Sequence, residues 1–254
     1  MNILIIGCGW LGQKVGRELI LQSHQVYGTY RSEETRIRIN DLDIEALSIN
    51  ALKELKVIDT IDIVLLFTPP NKQLPIESYG KQLLDYTQLF GNTTRFIFSS
   101  STGIYPKKEG VFDENYLFLE TEKDTHLYKA EALLTAALKE RLLVFRLGGL
   151  IGEDRNPIHR LSGKALPTNG QSIPYLVHAK DVCGVIQHFF SKYKWGGTFN
   201  LFTETMKTKR QYYIEQAEKR GIEKPIFGMK YDIKRKLIND KITKEFGFQF
   251  TKLS

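Results

Sequence analysis

The sequence predicts an α/β protein built on a doubly wound parallel sheet, and three observations carry that prediction. Short β-branched runs alternate with longer amphipathic stretches through the first half of the chain. Those short runs are apolar on consecutive residues, as expected of strands buried on both faces. A glycine-rich turn, GCGWLG (residues 7–12), joins the first run to the first amphipathic stretch.

In chain order, strands are expected at NILII (2–6), QVYGTY (25–30), IDIVLLF (61–67), RFIFSS (95–100) and LLVFRL (142–147), with a weaker one at DIEALSI (43–49) and a later one at TFNLF (198–202). Helices are expected at 11–22, 76–90 and 127–140, because each stretch repeats apolar residues at three- and four-residue spacing. Residues 153–175 break this rhythm, with little periodicity and many turn formers, as a ligand-facing excursion does. Helices resume at 179–193, at TKRQYYIEQAEKR (208–220) and near NDKITKEFGF (239–248). The expected organisation is one domain over 1–254, with a small lobe formed by residues 153–177 and 203–254.

Composition excludes several classes. Hydrophobic residues make up 42% of the 254 and charged residues 26%, the balance of a folded globular chain. The beginning, MNILIIGCGW, lacks the basic flank and long apolar stretch of a secretory signal, and no apolar run reaches membrane-span length. A cytoplasmic protein without a membrane partner is expected, as a monomer or homodimer. The two cysteines, Cys8 and Cys183, are expected as reduced, buried thiols. Net charge is +7, but its densest cluster, residues 230–244, is interleaved with acidic residues and has no aromatic ladder. That pattern is expected of a solvated helical face, not of a nucleic-acid partner. A mildly basic surface suits anionic small ligands.

The glycine turn carries the first functional expectation. Gly7, Gly9 and Gly12 form G-x-G-x-x-G between a strand and a helix, the context in which this spacing has meaning. Gly7 permits a tight turn, Gly9 lets backbone approach a pyrophosphate, and Gly12 lets helix and strand pack closely. The anion would rest on the helix N-terminus, where Trp10 and Leu11 begin it. At the end of the second strand an NAD site places an acid, whereas this chain has Tyr30, Arg31 and Ser32. Arg31 suits a ribose 2′-phosphate, so NADP is expected, with NAD the alternative because Glu33 and Glu34 follow. The fold is therefore expected to be of Rossmann type.

Four later segments, taken with the loop, resemble the extended short-chain dehydrogenase/reductase superfamily, also called the NAD-dependent epimerase/dehydratase family. LLFTPP (65–70), with Thr68 and Pro69, looks like its segment along the cofactor. SSSTGIYP (99–106), with Ser99, resembles the serine-bearing end of its fifth strand. FRLGGLIGEDRNP (145–157) and LVHAKDV (176–182) are similar to its exit toward substrate and the start of the next helix. The resemblance spans residues 1 to about 200, in order.

That resemblance implies catalysis by a serine, a tyrosine and a lysine, the last two spaced Y-x-x-x-K. Ser101 matches the serine, which polarises a substrate oxygen. The helix reads DTHLYKAEALL, so placing the family lysine on Lys129 puts Thr125 at the tyrosine position. Sliding the match onto Glu131 puts Lys123 and Leu127 at the two positions instead. Tyr128 is nearby, but one residue along a helix is about 100° of rotation, so it does not point where Thr125 points; it is read as a ring packed on the sheet or as a substitute acid/base. Absence of the tyrosine resembles the atypical extended branch, with its YeeZ-like proteins, and so does the short C-terminal part.

The five histidines form no metal set. His126 is read as a helix-entry residue or a proton shuttle, and Asp181, beside His178, as stabilising a helix start. Arg155, His159, Arg160 and Lys164 are read as a solvated loop or as an anion subsite. The resulting expectation is a nicotinamide-dinucleotide protein acting on a small substrate, sugar-like or anionic, by oxidoreduction or epimerisation. The alternative is a catalytically inactive NADP(H) sensor or scaffold.

Overall fold

The computed structural model describes residues 1–54, 56–191 and 195–252. Its first half runs β1 (Asn2–Ile6), α1 (Trp10–Leu21), β2 (Gln25–Tyr30), α2 (Glu33–Asn40), β3 (Glu45–Ser48), β4 (Ile63–Leu66), α3 (Ile76–Thr87), β5 (Arg95–Ser101), β6 (Gly110–Phe112) and α4 (His126–Leu138). The second half runs β7 (Leu142–Leu147), β8 (Gly149–Ile151), α5 (Ile158–Leu161), β9 (Ala165–Thr168), β10 (Leu176–His178), α6 (Ala179–Phe190), β11 (Gly197–Leu201), α7 (Lys209–Arg220), β12 (Ile226–Lys230), β13 (Arg235–Leu237) and α8 (Asp240–Phe246).

Seven strands form the central sheet in the order β11-β7-β5-β4-β1-β2-β3. Pairings from β3 across to β5 are parallel, with Leu4 opposite both Tyr27 and Val64. The chain winds outward from β1 in both directions, so strand order reverses between β1 and β4. In such sheets this reversal opens a crevice beyond the C-terminal strand ends, where ligands bind.

Period-two alternation sends the consecutive apolar residues of each strand to opposite faces. Leu4, Ile6, Val64, Leu66, Phe96 and Phe98 pack in one core with Leu83 of α3 and Ala130 and Leu134 of α4. Those two helices touch closely, since a Cβ on Gly80 would come within 3.1 Å of the Ala130 Cα. The opposite face takes α1: at Gly16 a Cβ would lie 2.5 Å from Ile44 Cδ1 and 3.2 Å from Ile5 Cδ1. A doubly wound sheet follows from strands that are apolar on every residue.

By contacts between residues, the chain divides into a first unit (1–104, 118–146 and 182–199) and a second (105–117, 147–181 and 200–254). The second has its own core of Ile151, Ile158, Leu176, Tyr212, Tyr213 and Ala217. It also contains three parallel two-stranded pairs, β10–β8, β12–β9 and β13–β6. Residues 105–117, which the expected lobe left out, cluster with this unit.

Several expectations need correction. The excursion 153–175 is ordered, carrying α5 and β9, because Ala165–Thr168 pairs with the distant Ile226–Lys230. Residues 230–244 are not one helical face: Arg235–Leu237 pairs with Gly110–Phe112, and only Asp240–Phe246 coils. Helix α2 was not expected; Ser32 starts it by accepting from the Thr35 N–H at 3.3 Å. The expected helix 179–193 ends at Phe190, and its residues 192–193 lie outside the described residues. Among the described residues, no helix is long and apolar enough to cross a membrane.

Candidate functional site

The parallel strands bring the ends of β1, β2, β4 and β5 to one edge of the first unit, and most of the predicted site residues lie there. Gly7 follows β1 at φ +91°, and a Cβ on it would come within 2.7 Å of the Thr68 nitrogen. This contact sits at the reversal between β1 and β4. The Gly7 N–H donates to Thr29 Oγ1 at 2.9 Å, and the Gly9 N–H to the Gly7 carbonyl at 2.7 Å, closing the turn. Gly12 packs on β1, where a Cβ would lie 3.0 Å from Ile5 Cγ2 and 3.2 Å from the Gly7 oxygen.

Gly9 differs from its two companions. Its φ is −81°, which any residue adopts, and a Cβ there would meet nothing within 4 Å. Neither a positive φ nor internal packing requires glycine at this position. It caps α1, whose N-terminus has no side-chain cap and no acidic residue in its first turn. The Gln13 N–H donates to the Gly9 carbonyl at 2.9 Å, so the amides of residues 10–12 precede the first helical bond and find no acceptor within the helix. Trp10 is half-buried, with the Lys14 ammonium 6.0 Å from its ring centre; Leu11 is buried.

Beyond β2, Tyr30 is half-buried and Arg31 is exposed. The two carboxylates that follow are already engaged: Glu33 takes both a hydrogen bond and an ion pair from Arg36, and Glu34 lies 3.7 Å from Arg38. The Arg36 guanidinium bonded to Glu33 holds that carboxyl below the usual range. Arg31 makes no hydrogen bond or ion pair among the described residues.

Beyond β4, Thr68 is buried, and its carbonyl accepts from the Tyr79 hydroxyl at 2.7 Å. Its own Oγ1 is buried without a hydrogen-bond partner, a cost of roughly 1–3 kcal/mol unless a ligand satisfies it. Pro69 is exposed beside it. At the end of β5, Ser99 and Ser101 are half-buried, and Ser100 Oγ is a second buried hydroxyl without a partner. Ser101 Oγ accepts from the Gly103 N–H at 3.0 Å. A hydroxyl has two acceptor positions and one proton, so this bond orients Ser101 while leaving its O–H to donate.

Helix α4 begins beside this serine, since both Ser101 Oγ and Leu127 Cδ1 border Gly103. Thr125 is its N-cap, accepting from the Tyr128 N–H at 3.1 Å. The position at which the resemblance would put a tyrosine thus precedes the helix and is committed to capping it. The Tyr128 ring meets Phe118 edge-on at 5.1 Å, and the Arg146 guanidinium lies 5.7 Å from the Phe118 centre. Arg146 also forms a buried ion pair with Glu131 at 2.7 Å. Lys129 is half-buried one residue beyond Tyr128, and its backbone N–H donates to the Thr125 carbonyl at 3.0 Å. His126 bonds through Nε2 to the Leu74 carbonyl at 3.0 Å, which ties the loop before α3 to the start of α4.

Sequence reasoning did not single out Arg146 or Thr29. An arginine inside an otherwise apolar strand, LLVFRL, is the signal that would have found the first. In the second unit, Asp181 is buried and accepts from the Thr251 N–H at 3.1 Å and its hydroxyl at 2.7 Å. His178 Nδ1 accepts from the Lys180 N–H at 3.2 Å.

No protein-family model matches the chain. It is 26% identical over 263 residues to protein YeeZ of Escherichia coli K12, a match covering 98% of this chain and 95% of YeeZ. A functionally unknown conserved protein from Silicibacter pomeroyi superposes with a TM-score of 0.78 at 20% identity, covering all of this chain and 94% of that one. The UDP-glucuronic acid 4-epimerase of Bacillus cereus, solved with UDP-glucuronic acid and NAD, superposes at 0.80 with 16% identity, covering all of this chain and 95% of the epimerase. The chain is thus similar to YeeZ over nearly its whole length and has the Rossmann-type fold of these solved structures.

Proposed function

We propose that the first unit binds a nicotinamide dinucleotide at the glycine turn and that the chain is an NAD(P)-dependent epimerase-like or oxidoreductase enzyme. The observation that carries this reading is Gly9. It is a glycine that the protein's own packing does not need, standing at a helix N-terminus without a side-chain cap beside the sheet's reversal point. The amides that precede the first bond within the helix, together with the helix dipole, favour an anion there. The unpartnered Thr68 hydroxyl, next to Gly7, fits a polar ligand along the same edge. Trp10, Leu11, Tyr30, Ser32, Pro69 and Ser99 would complete its surroundings.

Arg31 supports NADP in particular. It is a free cation at the β2 end, whereas Glu33 and Glu34, the acids that follow it in sequence, are paired with Arg36 and Arg38. The coenzyme, when bound, supplies the acceptor or donor of a hydride. The chain's own residues handle the oxygen and its proton. Ser101, held by the Gly103 amide, donates its hydroxyl proton to the substrate oxygen and so stabilises charge that develops on it. Thr125 is occupied as a cap, so the proton passes to Tyr128 or to a water. Lys129, one residue beyond Tyr128, would contact the ribose of the coenzyme. The second unit serves as the substrate lobe.

Calorimetric titration with NADPH and NADH tests the coenzyme assignment, and heat with neither overturns it. Turnover against a panel of carbonyl compounds and nucleotide sugars tests the chemistry. Ser101→Ala should retain coenzyme affinity while losing about 100-fold in kcat, the typical cost of one such donor. Tight coenzyme binding with no turnover of any substrate would instead identify a sensor.

A further inference from the structure

A cavity of about 240 Å³ lies within the second unit, where the C-terminal ends of the parallel strands β8 and β10 meet one face of α7. Helix α7 contributes Tyr212, Gln216 and Arg220, whose four-residue spacing puts all three on one side of it. The strand ends contribute Ile151 and His178, and the loop beyond β8 contributes Asn156.

Hydrogen bonds in the cavity wall decide which of its atoms donate. Asn156 Oδ1 accepts from the Ile158 N–H at 3.0 Å. A backbone N–H only donates, so the amide nitrogen of Asn156 is the atom that reaches the Tyr212 hydroxyl at 3.2 Å and Gln216 Oε1 at 3.3 Å. The Tyr212 oxygen is therefore an acceptor toward Asn156, and no acceptor among the described residues takes its own proton. Tyr212 is 2% exposed, and burial raises its phenol above the usual range, which keeps that proton in place at neutral pH. His178 Nδ1 accepts from the Lys180 N–H, so the neutral ring carries its proton on Nε2 and is a second donor.

Arg220 gives Nη1 to Gln216 and forms no ion pair among the described residues. Lys252 adds an exposed ammonium. The one carboxylate in the wall, Glu153, is held by Lys180 at 2.8 Å. A buried O–H with nothing to donate to is costly. A guanidinium with uncommitted N–H groups on the same helix face matches a planar carboxylate. Ile151 and the Tyr212 ring supply apolar wall for a short carbon chain.

We propose that this cavity binds a small organic acid, whose carboxylate accepts from the Tyr212 hydroxyl and the Arg220 guanidinium. None of these residues belongs to the glycine turn or to the group around Ser101, so the acid is a ligand distinct from the coenzyme and its binding stands apart from the coenzyme reading.

Succinate and lactate are the probes, and succinamide, with the shape of succinate but no charge, is the control. In calorimetric titrations of the full chain both acids should give heat, and succinamide should bind about tenfold more weakly than succinate. Tyr212→Phe, which removes only the hydroxyl, and Arg220→Gln should each weaken succinate binding about tenfold, the scale of a hydrogen bond to a charged group, while leaving NADPH affinity unchanged. Arg220→Lys should lose less than Arg220→Gln. Thermal unfolding of each variant verifies that it folds. Absence of heat with both acids, equal affinity for succinate and succinamide, or succinate binding indifferent to both substitutions overturns the site. Tighter binding of inorganic phosphate than of succinate would overturn the assignment to a carboxylate. Succinate binding that depends on Tyr212, found without any NADPH binding, would sink the coenzyme assignment and leave this site standing.

Discussion

The three glycines of one motif do different work, and substitution separates them. Gly7 holds a φ of +91° and abuts the Thr68 backbone at 2.7 Å. Gly7→Ala should therefore destabilise the protein by about 1–3 kcal/mol, through backbone strain before any clash is counted. Gly9→Asp meets nothing within 4 Å and keeps an ordinary φ, so its melting temperature should stay near the wild type. A carboxylate placed where a diphosphate is expected should nevertheless lower coenzyme affinity by about 100-fold, roughly 2.7 kcal/mol. Melting curves and calorimetry on both variants check the pair, and equal damage to stability from both would contradict it. Arg31 is tested in the same way. Its removal in Arg31→Ala should cost NADPH about tenfold in affinity, near the lower limit for a hydrogen bond to a charged group, and leave NADH unchanged. Equal affinity of the wild type for the two coenzymes would reject the NADP preference.

At the scale of elements, what was legible followed from local repetition. Each principal strand and helix shows in the sequence because its apolar residues recur at the period of its own geometry, as in LLVFRL for β7. Helix α2 was missed because its charged stretch EETRIRIN carries almost no apolar face. It rests on the Ser32 cap and the Glu33–Arg36 and Glu34–Arg38 pairs. Strands β6, β9, β12 and β13 were missed for another reason: each is three to five residues long and pairs with a segment at least 58 residues away, which no local pattern records. The candidate site divides likewise. Its glycine turn is contiguous and readable, whereas the Arg146–Glu131 pair joins a strand to a helix and is visible only in three dimensions. That pair sets how α4 presents Tyr128, since Arg146 also covers the Phe118 ring against which Tyr128 packs. Both side chains are 8% exposed, so Glu131→Ala removes the carboxylate that faces a buried guanidinium. It should cost about 3–5 kcal/mol, and replacing both partners with leucine should recover much of the loss. Denaturant unfolding of Glu131→Leu, Arg146→Leu and the variant carrying both measures the coupling; additive losses would show that the pair does not act as a unit.

For the molecule as a whole, buried protons set an asymmetric response to pH. Burial pushes the Cys8 thiol in the glycine turn up to about 12 from an ordinary 9.0. It also pushes the Tyr213 phenol in the second unit's core up to about 12 from 10.0, with Tyr212 adding to the shift, and it raises Tyr79 beneath the Thr68 carbonyl. As the pH rises past 9, the unfolded chain gives up these protons first and the folded chain keeps them. The unfolded state then binds fewer protons, and stability falls as pH rises. The contribution is complete below pH 9 and is lost progressively toward pH 12. The acid side has a weaker counterpart. A hydrogen bond from Lys180 pulls Glu153 down to about 2, so its contribution is present above the ordinary carboxylate value and lost as pH falls through about 2. Both side chains are largely exposed, and solvent screening leaves that pair little weight. Melting temperature should therefore hold level between pH 6 and 8 and decline from about pH 9 upward. Each unit has a buried acid of its own, so the decline should reach both. Cys8 and Cys183 are both buried, and a thiol reagent at pH 8 should leave both unreacted in the native protein and modify both in denaturant. Absorbance of the Tyr213 phenolate should appear only together with loss of secondary structure; its appearance in the folded protein near pH 10, or rapid native labelling of Cys8, would contradict the burial that produces the asymmetry.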